Sequence, residues 1–152
     1  MLIDYFKLRD SALDPVRANP SDAGLDVFYC PAEDRDSLEI KPGESVVVET
    51  GLKFGVPHGF MLEVKNRSSV ASKKQLLVGA CVIDPGYNGE LFVNLHNVGR
   101  EVRTIKSGDK IAQVVMIPII HFRARKLMTD TLYKSSICIS NRDTGGFGST
   151  GD

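Results

Sequence analysis

The sequence contains no tryptophan, aromatic residues make up only 7% of it, and its nineteen Lys and Arg are cancelled by nineteen Asp and Glu. A chain without excess charge has no global field to hold it on nucleic acid or an anionic membrane, so neither is expected as a partner. A small, highly charged ligand is not excluded, because a local cluster of donors needs no global excess. Cysteine is scarce: Cys30, Cys81 and Cys138 are odd in number, far apart and without a C-x-x-C pair. That argues against a disulfide framework and a thiolate zinc site, and leaves three reduced core thiols as the expectation. The three histidines, His58, His96 and His121, show no metal-ligand spacing. No run approaches the roughly 18 apolar residues of a membrane span, and the N-terminus lacks a basic stretch followed by an apolar one. The protein is therefore expected in the reducing compartment where it is made, the cytoplasm or nucleus, or the host cytoplasm if it is viral.

Helical periodicity is scarce as well. With 152 residues the chain has the length of one domain, and its apolar segments are short, rich in β-branched residues and bounded by Gly, Pro, Asn or Asp. Ser45–Glu49, Phe60–Val64, Leu76–Ile83, Leu91–Leu95 and Ile111–Ile120 read as strands. Between them stand turn signals at Lys41-Pro42-Gly43-Glu44, Val56-Pro57-His58-Gly59, Asp84-Pro85-Gly86-Tyr87-Asn88-Gly89 and Lys106-Ser107-Gly108-Asp109, the chemistry of tight reversals. The pattern predicts an all-β antiparallel sandwich or jelly roll. One segment, Arg67–Lys74, predicts a helical turn or two, with Ser68 or Ser69 as its cap. Residues 141–152 hold four glycines and one large apolar residue, Phe147, too little to offset ordering entropy, so a mobile arm is expected after a single domain spanning 1–140. Arg142 and Phe147 argue against a purely solvating tail, which needs neither a phosphate-binding fork nor an aromatic ring.

Three stretches have the composition to meet phosphate or water. Arg67-Ser68-Ser69 brings a guanidinium, two hydroxyls and the N–H groups of a helical first turn together, although alone such a tripeptide caps or solvates a turn as readily. The glycines of Gly145–Gly151 let backbone N–H groups approach phosphate oxygens, without the Gly-Lys-Ser or Gly-Lys-Thr of a Walker loop. Asp84 ends an apolar strand at a tight turn, where a carboxylate can be held against a water. Asp26 is a second strand-end acid.

Taken in order, these pieces resemble one family. Ala23-Gly24-Leu25-Asp26, Arg67-Ser68-Ser69, Val82-Ile83-Asp84-Pro85-Gly86-Tyr87-Asn88-Gly89, Gly108-Asp109-Lys110-Ile111-Ala112-Gln113 and Arg142-Asp143-Thr144-Gly145-Gly146-Phe147-Gly148-Ser149-Thr150-Gly151 resemble the five motifs of trimeric deoxyuridine triphosphatases, over roughly residues 22–151. The resemblance implies a distorted jelly-roll, β-clip subunit of a homotrimer whose active sites draw on more than one chain. It implies Mg²⁺-dependent hydrolysis of dUTP to dUMP and pyrophosphate, which limits uracil incorporation into DNA and supplies dUMP for dTMP synthesis. By this resemblance Asp84 is the general base for water attacking the α-phosphorus. Mg²⁺ rides on the triphosphate, with Asp26 reached through metal-bound water. Arg67, Ser68, Ser69 and Gln113 hold the phosphates, and Arg142, Gly148, Ser149 and Thr150 close on the nucleotide from the arm. A hairpin over Val78–Tyr87 reads uracil with its backbone, at Val78 and Cys81 among others; Tyr87 packs on the deoxyribose and Phe147 stacks on the base. Two residues depart from many relatives: Cys81, where Gly is common, and Asn66, where Gly or Pro is common. A dCTP deaminase shares much of this pattern but carries a catalytic Glu where Asn94 aligns, and Asn cannot carry the proton.

Overall fold

Each of the four expected turns forms by the same local chemistry. In Lys41–Glu44, Pro57–Phe60, Asp84–Tyr87 and Lys106–Asp109 the fourth N–H donates to the first carbonyl, at 3.0, 3.2, 3.2 and 2.9 Å. The third residue in each is a glycine at positive φ: Gly43, Gly59, Gly86 and Gly108, between 75° and 88°. These are type II turns, which require the left-handed conformation there and accept proline at the second position. The computed structural model describes residues 1–134.

Eleven strands and one helix lie among the described residues, every strand pairing being antiparallel. Strand β1 (Asp4–Lys7) pairs with β5 (Leu52–Gly55), and β3 (Ser37–Ile40) with β10 (Arg103–Lys106). A four-stranded sheet has the order β2 (Leu25–Phe28), β11 (Lys110–Pro118), β6 (Phe60–Lys65), β8 (Val82–Ile83). A three-stranded sheet orders β4 (Ser45–Glu49), β9 (Phe92–Asn97), β7 (Leu76–Val78). Alternation at period two carries the core: Val93, Leu95 and Asn97 of β9 are buried while Phe92, Asn94 and His96 face outward. Val27, Val64 and Val114, from three adjacent strands, are likewise buried. This is the all-β architecture expected, assembled from small sheets.

Two local expectations are corrected. The stretch Leu76–Ile83 is not one strand, and Val78–Tyr87 does not close on itself as a hairpin. Strand β7 pairs with β9, whereas β8 pairs with β6, so residues 79–81 carry the chain from one sheet to the other. Gly79 permits this crossing: a Cβ there would collide with the side chains of Asn94 and His96. The helix α1 (Ser68–Lys74) is capped neither by Ser68 nor by Ser69; the N-cap is Arg67, extended at φ −87° and ψ 134°, with no side-chain cap hydrogen bond. Both serines fall within the first turn, whose N–H groups have no intrahelical acceptor.

Cys30 is a buried free thiol and Cys81 a partly exposed one, while Cys138 lies outside the described residues. Burial pushes the Cys30 thiol up, which suits an inert core residue. The compact unit that carries the strands is Met1–His121. Of the second unit, from Phe122 onward, residues 122–134 contain no helix or strand. The expected boundary at residue 141 lies outside the described residues.

One polar network ties the segment after the Asp84 turn to the N-terminal segment and to the end of β4. Glu90 receives Arg9 Nη2 at 2.6 Å and Nη1 at 3.2 Å, and its Oε1 also accepts the N–H groups of Thr50 and Gly51 at 3.1 and 2.7 Å. Arg9 in turn donates to the Cys30 carbonyl through Nε and Nη2. With side chains only 17% and 12% exposed, Arg9 and Glu90 form a mostly buried pair. Arg9→Met should therefore strand the Glu90 carboxylate and cost about 3 kcal/mol of stability. Chemical denaturation of the two proteins measures this; a loss below about 1 kcal/mol, the scale of an exposed pair, would contradict it.

Candidate active site

Asp26, at the second position of β2, is 8% exposed and accepts two cations. Arg67 Nε lies 2.7 Å from Oδ1 and Lys110 Nζ 2.9 Å from Oδ2. The sheet makes this meeting: Gln113 of β11 pairs with Asp26 on one side and with Lys65 of β6 on the other, so the residues following β6 come over the end of β2. Register shifts between Lys110 and Ala112, an irregularity that sits where the Lys110 ammonium turns to Asp26. The carboxylate thus fixes the Arg67 guanidinium at the entry to α1. Beyond it Ser68 and Ser69 are exposed in the first turn, so hydroxyls, first-turn N–H groups and a guanidinium are gathered where an anion can reach them.

Gln113 extends over the same end. Its Nε2 donates to the Asn66 carbonyl at 2.9 Å, and the Asn66 side-chain oxygen accepts the Val78 N–H at 2.7 Å. Asn66 therefore links the turn before Arg67 to the end of β7. The space for Gln113 is left by Gly24: a Cβ there would stand 2.5 Å from Gln113 Oε1. At the other end of α1, Lys74 Nζ pairs with Asp109 Oδ2 at 3.0 Å. Burial raises the Asp109 carboxyl, but the Lys106 N–H and the Lys74 ammonium outweigh it and hold the group below its ordinary range.

Asp84 lies elsewhere. It follows β8, whose Ile83 pairs with Leu62, so it emerges opposite Met61, six residues before Arg67. At a rise of roughly 3.3 Å per residue that is about 20 Å of chain. Exposed on its type II turn, Asp84 lines a recess of about 530 Å³ with Val82, Ile83, Tyr87, Glu90 and Phe92. Tyr87 is folded over Gly89, and its hydroxyl donates to the Glu90 carbonyl at 2.9 Å. Between the two ends, the Cys81 carbonyl accepts the Val64 N–H at 2.7 Å.

One chain therefore gathers Asp26, Arg67, Ser68, Ser69 and Gln113 at one end of β6, with Val78 joined to them through Asn66. Asp84 and Tyr87 stand toward the other. Arg142, Phe147, Gly148, Ser149 and Thr150 lie outside the described residues. Lys110, Asn66, Arg9 and Glu90 were not singled out from sequence as site-building groups. Lys110 had a signal, its place in the Gly108–Gln113 motif; the Arg9 and Glu90 pair, 81 residues apart, had none. Among the described residues no group of three or more His, Cys, Asp and Glu forms a metal cage, and no helix is long and apolar enough to cross a membrane.

A dUTPase family model matches residues 10–151. The deoxyuridine 5'-triphosphate nucleotidohydrolase of Crocosphaera subtropica is 34% identical, over 99% of this chain and 99% of its own length. That of Clostridium acetobutylicum is 35% identical over 95% of this chain and 93% of its own. Among solved structures, the dUTPase of Staphylococcus bacteriophage 80alpha with dUPNHPP matches with a TM-score of 0.80 at 25% identity, covering 99% of both chains. A mutant dUTPase of the S. aureus phage phi11, which coordinates a structural Mg(II) ion, matches with a TM-score of 0.74 at 25% identity over 85% of this chain and 98% of its own. The chain belongs to the dUTPase family.

The place of Gly24 can be tested without substrate. Gly24→Ala should push Gln113 off the Asn66 carbonyl and lower stability by about 1–2 kcal/mol. In a Gln113→Ala background the same substitution should cost less, since the 2.5 Å contact with Oε1 is gone and only the 3.2 Å contact with the Cβ of residue 113 remains, a difference the double-mutant cycle isolates. Equal losses in both backgrounds would place the cause elsewhere.

Proposed function

We infer that the chain is an enzyme that hydrolyses dUTP to dUMP and pyrophosphate, and that it does so as a homotrimer with composite sites. The observation that carries this reading is the separation along β6 of two sets of groups that must meet one substrate. Asp84 stands opposite Met61, about 20 Å of chain from Arg67 at roughly 3.3 Å per residue, too far for both to address a single triphosphate from one subunit. A second copy that brings its Asp84 turn to the Arg67 end of its neighbour removes the difficulty, and closed cyclic symmetry repeats the solution at each interface.

In such a site Arg67, Ser68, Ser69 and Gln113 hold the phosphate chain. The pairing of Arg67 with Asp26, whose other oxygen Lys110 holds, fixes it before the nucleotide arrives, so little reorganisation is needed at the moment of reaction. Asp84 from the neighbouring copy accepts the proton of the water that attacks the α-phosphorus in line, and pyrophosphate leaves. Phosphoryl transfer makes modest covalent demands on the protein, which supplies position and charge stabilisation. An exposed carboxylate on a rigid turn, in a recess deep enough to hold a water against it, has the freedom to take that proton.

The residues present fit Mg²⁺ carried on the substrate. Each Asp26 oxygen already faces a cation, so Asp26 is suited to contact through water and not to direct ligation beside two positive charges. When bound, the ion neutralises charge on the triphosphate oxygens. Tyr87, held by its hydroxyl against the Glu90 carbonyl, presents its ring to the deoxyribose and leaves no room for a 2′-hydroxyl. The backbone of the Val78–Tyr87 segment reads uracil, and the 4-amino group of cytosine is rejected because it sets a donor against a donor. Residues 141–152, as a separate arm, close over the nucleotide with Phe147 on the base and Arg142, Gly148, Ser149 and Thr150 on the phosphates.

Pyrophosphate release should be rapid with dUTP in the presence of Mg²⁺, and slow with dCTP, dTTP and UTP or without the metal. Asp84→Asn keeps the shape and removes the base, so nucleotide binding should persist while turnover falls about 10²–10⁴-fold. Steady-state kinetics beside calorimetric binding of α,β-imido-dUTP separate the two effects, and near-normal turnover of the variant would remove Asp84 from the mechanism.

A further inference from the structure

The segment that reads the base has an unusual support. Residues 79–81 belong to no strand, because β7 and β8 join different sheets, yet backbone readout requires those three residues to keep one conformation. Two of their amides and one of their carbonyls are held from outside. Gly79 N–H donates to the Asn94 main-chain carbonyl at 2.9 Å and Ala80 N–H to the Asn94 side-chain oxygen at 3.3 Å. One residue of β9 thus receives two successive N–H groups of the crossing, while Val64 fixes the Cys81 carbonyl from β6.

Asn94 is itself locked. Its Nδ2 donates to Ser45 Oγ at 2.8 Å and to the Val46 carbonyl at 3.2 Å. A carbonyl only accepts, so the amide nitrogen must face Val46, and Oδ1 must be the atom turned toward Ala80. His96 Nε2 lies 2.9 Å from the same Oδ1, so this ring nitrogen carries its hydrogen and donates. The register explains the meeting: Ser45 pairs with His96 and Val47 with Asn94 on β4, and His96 pairs with Leu77 on β7. Ser45, Asn94 and His96 therefore project from one outward face, and the missing Cβ of Gly79 lets the crossing lie directly on Asn94 and His96.

We propose that Asn94, oriented by His96 and Ser45, is the positioning residue that sets the base-reading backbone at Gly79–Cys81, and so a determinant of uracil over cytosine. The inference rests on the reading that this segment faces the base. Asn94 acts through the backbone and takes no part in the chemical step. Its loss lets the 79–81 crossing sample other conformations in which the donor and acceptor order is no longer fixed. The first property to fall is discrimination between pyrimidines, ahead of turnover on dUTP.

The test is carried out on the full chain. Asn94→Ala should lower the ratio of kcat/KM for dUTP over dCTP by about five- to tenfold, the scale of one lost hydrogen bond. Its effect on dUTP should appear in KM more than in kcat. His96→Phe keeps a ring on Gly79 but removes the donor to Oδ1, and should shift the ratio in the same direction by less. Amide chemical shifts of Gly79, Ala80 and Cys81 on addition of α,β-imido-dUTP separate the base-reading role of the segment from the role of Asn94. Amides that do not respond in the wild type would overturn the base-reading assignment and the inference with it. If they respond while both variants keep the wild-type ratio, Asn94 and His96 have no part in selectivity and the inference alone is overturned. A lower melting temperature with an unchanged ratio is the signature of a merely structural role and counts against it as well.

Discussion

A buried carboxylate on β2, Asp26, organises the end of the sheet from which α1 departs. Asp26 is almost fully buried, and a buried charge is tolerated only when it is paired and hydrogen-bonded. Arg67 and Lys110 supply the pairing, one on each oxygen. This arrangement sets where the chain leaves β6, where α1 begins and which way the guanidinium points. Removing either cation would leave the carboxylate partly uncompensated, and removing the carboxylate would leave two cations side by side. The pair is therefore a constraint on conformation first and a contribution to stability second. Its further consequence is a positive centre already fixed in place, which the proposed reading assigns to the triphosphate.

A second constraint is the antiparallel pairing of β6 with β8. By placing Ile83 opposite Leu62 it sends Asp84 away from Arg67. One fold thereby presents Arg67 and Asp84, the proposed phosphate holder and base, at different places on its surface. For a reaction that needs both, separation within the subunit becomes a requirement for association. In the proposed composite site the isolated subunit could not turn over substrate, so activity and assembly would be coupled.

Much of this was legible in the sequence where the cause is local. The type II turns follow from Pro-Gly and neighbouring pairs, because a glycine's access to positive φ needs no tertiary context. The strands at Ser45–Glu49 and Phe60–Lys65 follow from short β-branched runs. What escaped depends on partners far along the chain. The break of Leu76–Ile83 into two strands follows from the pairing of β7 with β9 and of β8 with β6, and the ion pair of Lys110 with Asp26 from strand register. The Arg9 and Glu90 network joins residues 81 apart. Gly24 illustrates the same limit: its motif was visible, but its reason, the passage of the Gln113 side chain, appears only when β2 and β11 lie together.

The central claim is that Arg67 and Asp84 of one active site come from different subunits. Subunit mixing tests it most directly. Arg67→Ala and Asp84→Asn proteins, each inactive alone, are unfolded together, refolded at equal concentrations and assayed for pyrophosphate release from dUTP. If the site is composite, random mixing pairs an intact Arg67 with an intact Asp84 in about a quarter of the sites, and a corresponding fraction of wild-type activity returns. If both residues serve from the same chain, every site in the mixture still lacks one of them. An assembled but inactive mixture would contradict the account.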